Sequence, residues 1–222
     1  MPVRGCLFDL DGTLINSLED MAASVNYALM ERGYPVHTLE EYRYMVGSGV
    51  TLLCERALPP YARTPEQVRT LRQVFQAYYA EHGMDATRPY PGVNWMLQQL
   101  RALKMHMGVI TNKPDQDAQR IVERTFGKGV FDVVIGQREG RPMKPDPSVA
   151  FEAIEGMGIQ PAECAYFGDS GVDMQTAEAA GARGVGVLWG YRTADELLEN
   201  GALALIKSPE ELFTLIKRWA VT

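Results

Sequence analysis

Four short stretches of the chain carry side chains suited to chemistry at phosphorus or around a hard cation. The first is Asp9-Leu10-Asp11-Gly12-Thr13. Two carboxylates at i and i+2, directly after an apolar run, point roughly the same way, so their mutual repulsion must be offset. A hard divalent cation such as Mg²⁺ does this through one or two carboxylates together with phosphate oxygens and water. An acidic turn capping a helix is the plainer alternative, since Asp-Gly is a common turn pair. A calcium-binding helix-loop-helix does not fit: the later ligands are missing, and the pattern follows a strand-like run rather than a helix.

The other three stretches lie far along the chain. Thr111 closes the apolar run from His106 to Ile110, with Asn112 and Lys113 beside it. A hydroxyl and backbone N–H groups just before a helix suit a phosphate oxygen, or else simply cap the helix. Lys144 sits in Arg141-Pro142-Met143-Lys144-Pro145-Asp146-Pro147, where flanking prolines stiffen the backbone. Held near several carboxylates, such a lysine would neutralise charge developing on a phosphoryl group; on an exposed loop it would do nothing. In Gly168-Asp169-Ser170-Gly171-Val172-Asp173 two more carboxylates stand four residues apart. Asp169 would complete a metal site, and Asp173 would brace Lys144 or a water on the metal. Helix capping by Asp169 or Ser170 is again the alternative.

The elements that must position these groups follow from periodicity. Val3–Phe8 reads as a buried strand that stops at a polar turn. Ser17 then reads as an N-cap with Asp20 at the third helical position, ahead of Met21, Val25, Ala28 and Leu29 at helical spacing. Thr38 with Glu41 repeats the capping pattern. Gly47-Ser48-Gly49 breaks the chain before a helix over 50–58, and Thr64-Pro65 opens another with proline at its first position. No strand is expected between Ser17 and Arg88, which makes 17–88 an all-helical cap domain inserted into the chain. From Pro89-Tyr90-Pro91-Gly92 onward the texture alternates. Helices are expected over 93–103, up to Phe126, and over 146–157, 172–180 and 209–219. Strands are expected over 106–110, 131–135, 164–167, 184–188 and 204–206. Alternation of this kind predicts an α/β fold, a Rossmann-like parallel sheet with helices on both faces. The core is then discontinuous, 1–16 with 89–222. In such sheets ligands bind beyond the carboxyl ends of the strands, where all four polar stretches fall.

Composition bounds the remaining possibilities. The 222 residues are 46% hydrophobic and 23% charged, with a formal net charge of -6, enough apolar matter for a core. A net acidic chain without a dense Lys/Arg run argues against a nucleic-acid partner. No segment approaches the roughly 20 apolar residues that span a bilayer, and the short run before Asp9 is not expected to be a signal peptide. Cys6, Cys54 and Cys164 are scattered singly, which predicts unpaired, buried thiols in a reducing cytoplasm. His37, His82 and His106 are isolated and expected on the surface or in loops.

Taken jointly, the four motifs in this order and on this topology resemble the haloacid dehalogenase-like hydrolase superfamily, and within it the bacterial phosphoglycolate phosphatases. Phe8–Leu14, Val46-Gly47-Ser48-Gly49, Pro89–Gly92 and Thr111-Asn112-Lys113-Pro114 carry the closer similarity. The resemblance implies a Mg²⁺-dependent phosphatase acting on a small phosphate ester, as monomer or homodimer, with no membrane or nucleic-acid partner. Asp9 would be the nucleophile, and Asp11 the acid for the leaving alkoxide and then the base for water. Thr111 and Lys144 would stabilise the transferring phosphoryl group, with Asn112 and Gly12 also meeting phosphate. The metal would be held by the Asp9 side chain, the Asp11 backbone carbonyl and Asp169. One departure is Asn16, where the resemblance leads one to expect an aspartate.

Other chemistries share this core. A phosphotransferase or sugar-phosphate mutase differs only in how well the cap excludes water. A halide-releasing enzyme has no use for a proton donor such as Asp11. A non-catalytic descendant would be expected to have lost a motif, and all four are present. For the substrate, 2-phosphoglycolate comes first, followed by other small phosphate esters, sugar phosphates or pyrophosphate. Arg43 and Arg56 are candidates to meet a substrate carboxylate, and the Gly-Ser-Gly turn is a candidate anion contact. Met45, Leu52, Leu53 and Leu58 read as cap core.

Overall fold

The computed structural model describes residues 1–220. From the N-terminus come β1 (Gly5–Phe8), β2 (Ile15–Asn16), α1 (Leu18–Glu31), α2 (Leu39–Met45), α3 (Val50–Ala57), α4 (Pro65–His82) and β3 (Arg88–Pro89). The remainder alternates: α5 (Val93–Ala102), β4 (His106–Pro114), α6 (Asp115–Phe126), β5 (Val133–Gln137), α7 (Ser148–Gly156), β6 (Cys164–Gly168), α8 (Gly171–Ala180), β7 (Arg183–Val187), α9 (Ala194–Glu199), β8 (Ala204–Ile206) and α10 (Pro209–Trp219).

Six strands form one parallel sheet in the order β5-β4-β1-β6-β7-β8. Every residue of β1 is buried, as expected of a central strand covered on both faces. Its side chains alternate between two apolar layers. Cys6 and Phe8 pack with Val109, Phe167, Met96, Ile121 and Leu212 on one face. Leu7 packs with Ile110, Tyr166, Ala153 and Ile154 on the other. The α/β, doubly covered sheet inferred from sequence is the observed architecture. Counted within the sheet alone, the chain passes outward from β1 to β4 and β5, then returns to β6 on the other side. The order thus reverses between β1 and β6, and a crevice opens beyond the carboxyl ends of such a pair.

Between β1 and α5 the chain is helical apart from two two-residue strands. Ile15 pairs with Pro89 and Asn16 with Arg88, antiparallel, so the outgoing and returning strands run side by side. This ribbon was not expected from sequence, because two residues carry no period. Boundaries elsewhere moved for local reasons. The helix expected from Asp146 starts at Ser148, since Asp146 accepts the Ser148 N–H at 2.9 Å in a turn. The strand expected from Phe131 starts at Val133, while Phe131 turns edge-on to Phe8 and Phe126. The helix α9 was not foreseen at all.

Ser17 stands at the N-cap of α1 and Asp20 at its third position, as read from sequence, but the two side chains do not make the capping bonds. Ser17 makes no side-chain cap; its hydroxyl donates to Asp11 at 2.5 Å. Asp20 is buried and accepts from the Ala86 N–H, the Thr87 N–H at 2.7 Å and the Thr87 hydroxyl at 2.6 Å. It stitches the start of α1 to the returning chain just before β3. Replacing Asp20 with alanine strands these donors away from water, at about 1–3 kcal/mol for each buried unsatisfied group. Urea denaturation of Asp20→Ala should show a loss of about 3 kcal/mol in unfolding free energy; a loss under about 0.5 kcal/mol would contradict that account.

Candidate active site

The turn after β1 carries Asp9 to the crevice. Its N–H donates to Phe167 O at 2.9 Å, which ties the end of β1 to the end of β6. Lys144 comes up from the chain between β5 and α7 and buries its ammonium beneath Asp9. Nζ donates to Asp9 Oδ1 at 2.8 Å, Asp173 Oδ1 at 2.7 Å, Ile110 O at 3.3 Å and the Tyr166 hydroxyl at 2.9 Å. Asn112 brackets the lysine's own backbone: Oδ1 accepts Lys144 N–H at 2.9 Å while Nδ2 donates to Lys144 O and to Gly47 O. Its side chain is therefore engaged with main chain, one contact reaching into the helical segment. Thr111 is buried one residue earlier in β4, its hydroxyl accepting Lys113 N–H at 3.2 Å. The strand runs on past Ile110 to Pro114 with an irregular register, so these residues extend β4 instead of forming a separate turn.

Asp169 follows β6, across the crevice from Asp9. It accepts the Tyr191 N–H at 2.7 Å and, more weakly, the Thr13 hydroxyl at 3.5 Å. Two glycines make room for it. A Cβ on Gly12, whose φ of +90° already favours glycine, would lie 2.3 Å from Asp169 Oδ2, and one on Gly190 would lie 2.2 Å from Asp169 Cβ. Asp173 does two jobs. Oδ2 accepts from Ser170 N–H and hydroxyl in a capping box at the head of α8. Oδ1 holds Lys144 and accepts from Tyr166.

Asp9, Asp169 and Asp173 place carboxylate oxygens within 4.8 Å of one another, all buried. Burial, opposed by Lys144 and reinforced by Asp173 and Asp11, pushes Asp9 up to about 7. Asp169 is raised well above the usual carboxylate range by burial and by its Asp173 and Asp9 neighbours. For Asp173, burial is overcome by Lys144, which holds that carboxyl below its usual value. The Lys144 ammonium is disfavoured by burial, yet Asp173 and Asp9 outweigh this and keep it charged. Of the three carboxylates, Asp9 and Asp173 share one ammonium. Among the described residues, Asp169 has no ion-pair partner and Asp9 Oδ2 takes no hydrogen bond. Hard oxygen donors with uncompensated charge fit a divalent cation.

Asp11 stands apart from this trio. Both of its oxygens are taken by the Lys113 ammonium, at 3.0 and 2.9 Å, and Oδ1 also by Ser17. Asp9, Asp11, Thr111, Asn112 and Lys113 line one cavity of about 560 Å³, counted with its open mouth, whose opposite wall is built by Met21, Val46, Val50, Leu53, Phe75 and Tyr79. Leu53, read from sequence as cap core alone, is both buried and part of this wall. The glycines at 47 and 49 line it as well. Arg43 and Arg56 do not. Arg56 donates to the Tyr44 and Met45 carbonyls and Arg43 pairs with Glu40, so neither is turned toward a substrate carboxylate here.

Sequence reasoning named Lys113 and Ser17 without giving either a role in the site, and missed Tyr166, Tyr191 and Arg192. Arg192 donates to the carbonyls of Arg43 and Val46, the latter at 2.7 Å, a second clamp between the sheet and the helical segment. For Lys113 a signal existed, a lysine directly after an apolar strand and a Thr-Asn pair. For the tyrosines and Arg192 there was none.

Residues 6–187 match the model of the haloacid dehalogenase-like hydrolase family. The chain belongs to that family. Phosphoglycolate phosphatase of Escherichia coli is 35% identical over 214 residues, covering 88% of this chain and 85% of the relative; that of Salmonella typhimurium is 34% identical over the same span. A crystal structure from Lactobacillus delbrueckii subsp. bulgaricus, provisionally named a phosphoglycolate phosphatase, superposes with TM-score 0.91 at 30% identity, covering 97% of this chain and 99% of the other. Among the described residues no helix is long and apolar enough to cross a membrane, and the three cysteines are free and buried.

Proposed function

We propose that the protein is a Mg²⁺-dependent phosphatase that hydrolyses a small phosphorylated metabolite, with 2-phosphoglycolate as first substrate, through an aspartyl-phosphate on Asp9. The observation that carries this reading is the state of Asp9: one oxygen is pinned to Lys144, while the other is free of protein hydrogen bonds on the floor of the cavity. In the first half-reaction Asp9 Oδ2 bonds to phosphorus as the bond to the alkoxide breaks, and Asp11 gives that alkoxide its proton. In the second, water attacks phosphorus while Asp11 takes a proton, and the Asp9–phosphorus bond breaks to release phosphate. Positioned proton transfer contributes about 10²–10⁴ in rate. Lys144, Thr111 and nearby backbone N–H groups supply further stabilisation of the phosphoryl oxygens. Bound by Asp9, the Asp11 carbonyl and Asp169, Mg²⁺ would neutralise phosphoryl charge.

In the same reading, residues 17–88 serve as a cap domain on a core of 1–16 and 89–222, closing the cavity with an apolar wall that keeps stray water out. The protein would work in the cytoplasm. The names of the relatives support the choice of substrate. The test is phosphate release with Mg²⁺ across 2-phosphoglycolate, hexose phosphates and pyrophosphate. The highest kcat/KM is expected on 2-phosphoglycolate. Failure to release phosphate from any of them would reject the reading.

A further inference from the structure

A substrate bearing a second anion presents this cavity with a problem. Beyond the phosphate position its wall is Met21, Val46, Val50, Leu53 and Phe75, and a carboxylate buried against such a surface without a partner is strongly disfavoured. Among the lining residues one side chain is positively charged, Lys113. Its side chain is only 5% exposed, and Nζ lies 4.9 Å from the centroid of the Tyr79 ring. Burial works against its charge, but Asp11 outweighs burial and keeps the ammonium protonated. On the same wall the buried Tyr79 hydroxyl stands beside this ammonium and helps to keep it charged.

We propose that Lys113 is the specificity-determining residue of the site, pairing with an anionic group on the alcohol portion of the substrate. The proposal rests on the phosphatase reading above and adds which substrates are preferred and why. With the cavity empty, Lys113 is held by both oxygens of Asp11. A substrate carboxylate competes for the same ammonium and draws it off one of them. An oxygen of Asp11 is thereby freed to take a proton from water and pass it to the leaving alkoxide, so that recognition of the acid end and readiness for proton transfer are linked through one lysine. A neutral leaving group gains neither contact.

The test compares kcat/KM for 2-phosphoglycolate and ethyl phosphate, which match in size around the ester and differ in the carboxylate. A hydrogen bond to a charged group corresponds to a preference of about 10- to 100-fold, and the wild-type ratio should fall in that range. Lys113→Gln keeps one donor for Asp11 but loses the charge. It also no longer holds both Asp11 oxygens, whichever ester is bound, so the lost pairing and the lost linkage act in the same direction and the ratio should collapse toward one. Lys113→Arg should hold the ratio within about threefold of wild type. An unchanged ratio in folded Lys113→Gln would overturn the proposal. So would a wild-type ratio near one, with the phosphatase reading left standing because both esters still release phosphate. No phosphate from either ester would remove 2-phosphoglycolate as substrate, and the proposal with it, while release from a hexose phosphate or pyrophosphate would leave the phosphatase reading standing.

Discussion

Asp9→Asn is expected to fold normally and to lose about 10⁴-fold or more of its phosphate-release activity. The amide is nearly isosteric with the carboxylate, and its oxygen can still accept from Lys144 Nζ, now 2.8 Å from Oδ1. Lys144 also keeps Asp173 at 2.7 Å, so the substitution does not leave a buried ammonium without an anion, the circumstance that makes breaking such pairs costly. What disappears is nucleophilicity. An amide oxygen or nitrogen does not displace an alkoxide from phosphorus, and no neighbour stands in the same place: Asp11 is engaged with Lys113 and Ser17, and Asp173 with Lys144, Tyr166 and Ser170. Residues that act as a unit lose nearly everything when one is removed. Circular dichroism and thermal melting should match wild type to within a few degrees. A folded variant retaining a tenth of wild-type turnover would exclude Asp9 as the attacking group.

How much of this site could be read beforehand depends on where each side chain finds its partner. Asp9, Thr111, Asp169 and Asp173 were legible because each lies at or just beyond the carboxyl end of a buried strand, and the carboxyl ends of parallel strands converge whatever the loops do. Lys144 was legible through the stiff prolines around it and through the family resemblance. Asp20 was misread because its local pattern, a serine three residues ahead of it at a helix start, is that of a capping box. A contact with Ala86 and Thr87, more than sixty residues on, won instead. Ser17 went the same way, drawn off by Asp11. Tyr166 looks in sequence like one more apolar residue of a buried strand; only the fold shows its hydroxyl between Lys144 and Asp173. Arg192 lies in a loop whose partners are the carbonyls of residues nearly 150 positions earlier, and a carbonyl leaves no mark in a sequence. The cavity's cation was sought among arginines of the helical segment. It came from Lys113 at the end of β4, because Arg56 satisfies local main-chain carbonyls first.

The charge imbalance at the crevice yields the second large effect. Asp9, Asp169 and Asp173 face one another with a single ammonium that pairs with Asp9 and Asp173 alone, and burial already lifts Asp9 and Asp169 toward protonation. A divalent cation relieves that repulsion directly, so it should bind the folded chain and not the unfolded one. Mass action then stabilises the fold by about 2.7 kcal/mol at a hundredfold excess over Kd, a rise in Tm of several degrees. Excess chelator should remove both that rise and essentially all turnover, and added Mg²⁺ should restore both. Asp169→Asn separates the cation from other causes. Asp169 makes no contact with Lys144, and its amide oxygen can still accept the Tyr191 N–H, so the fold survives while one anionic donor is lost. The Mg²⁺-dependent rise in Tm should shrink to about zero in this variant, independently of any assay of activity. Full wild-type turnover in excess chelator, or an undiminished Mg²⁺ shift in Asp169→Asn, would mean that these carboxylates gather for some purpose other than holding a metal.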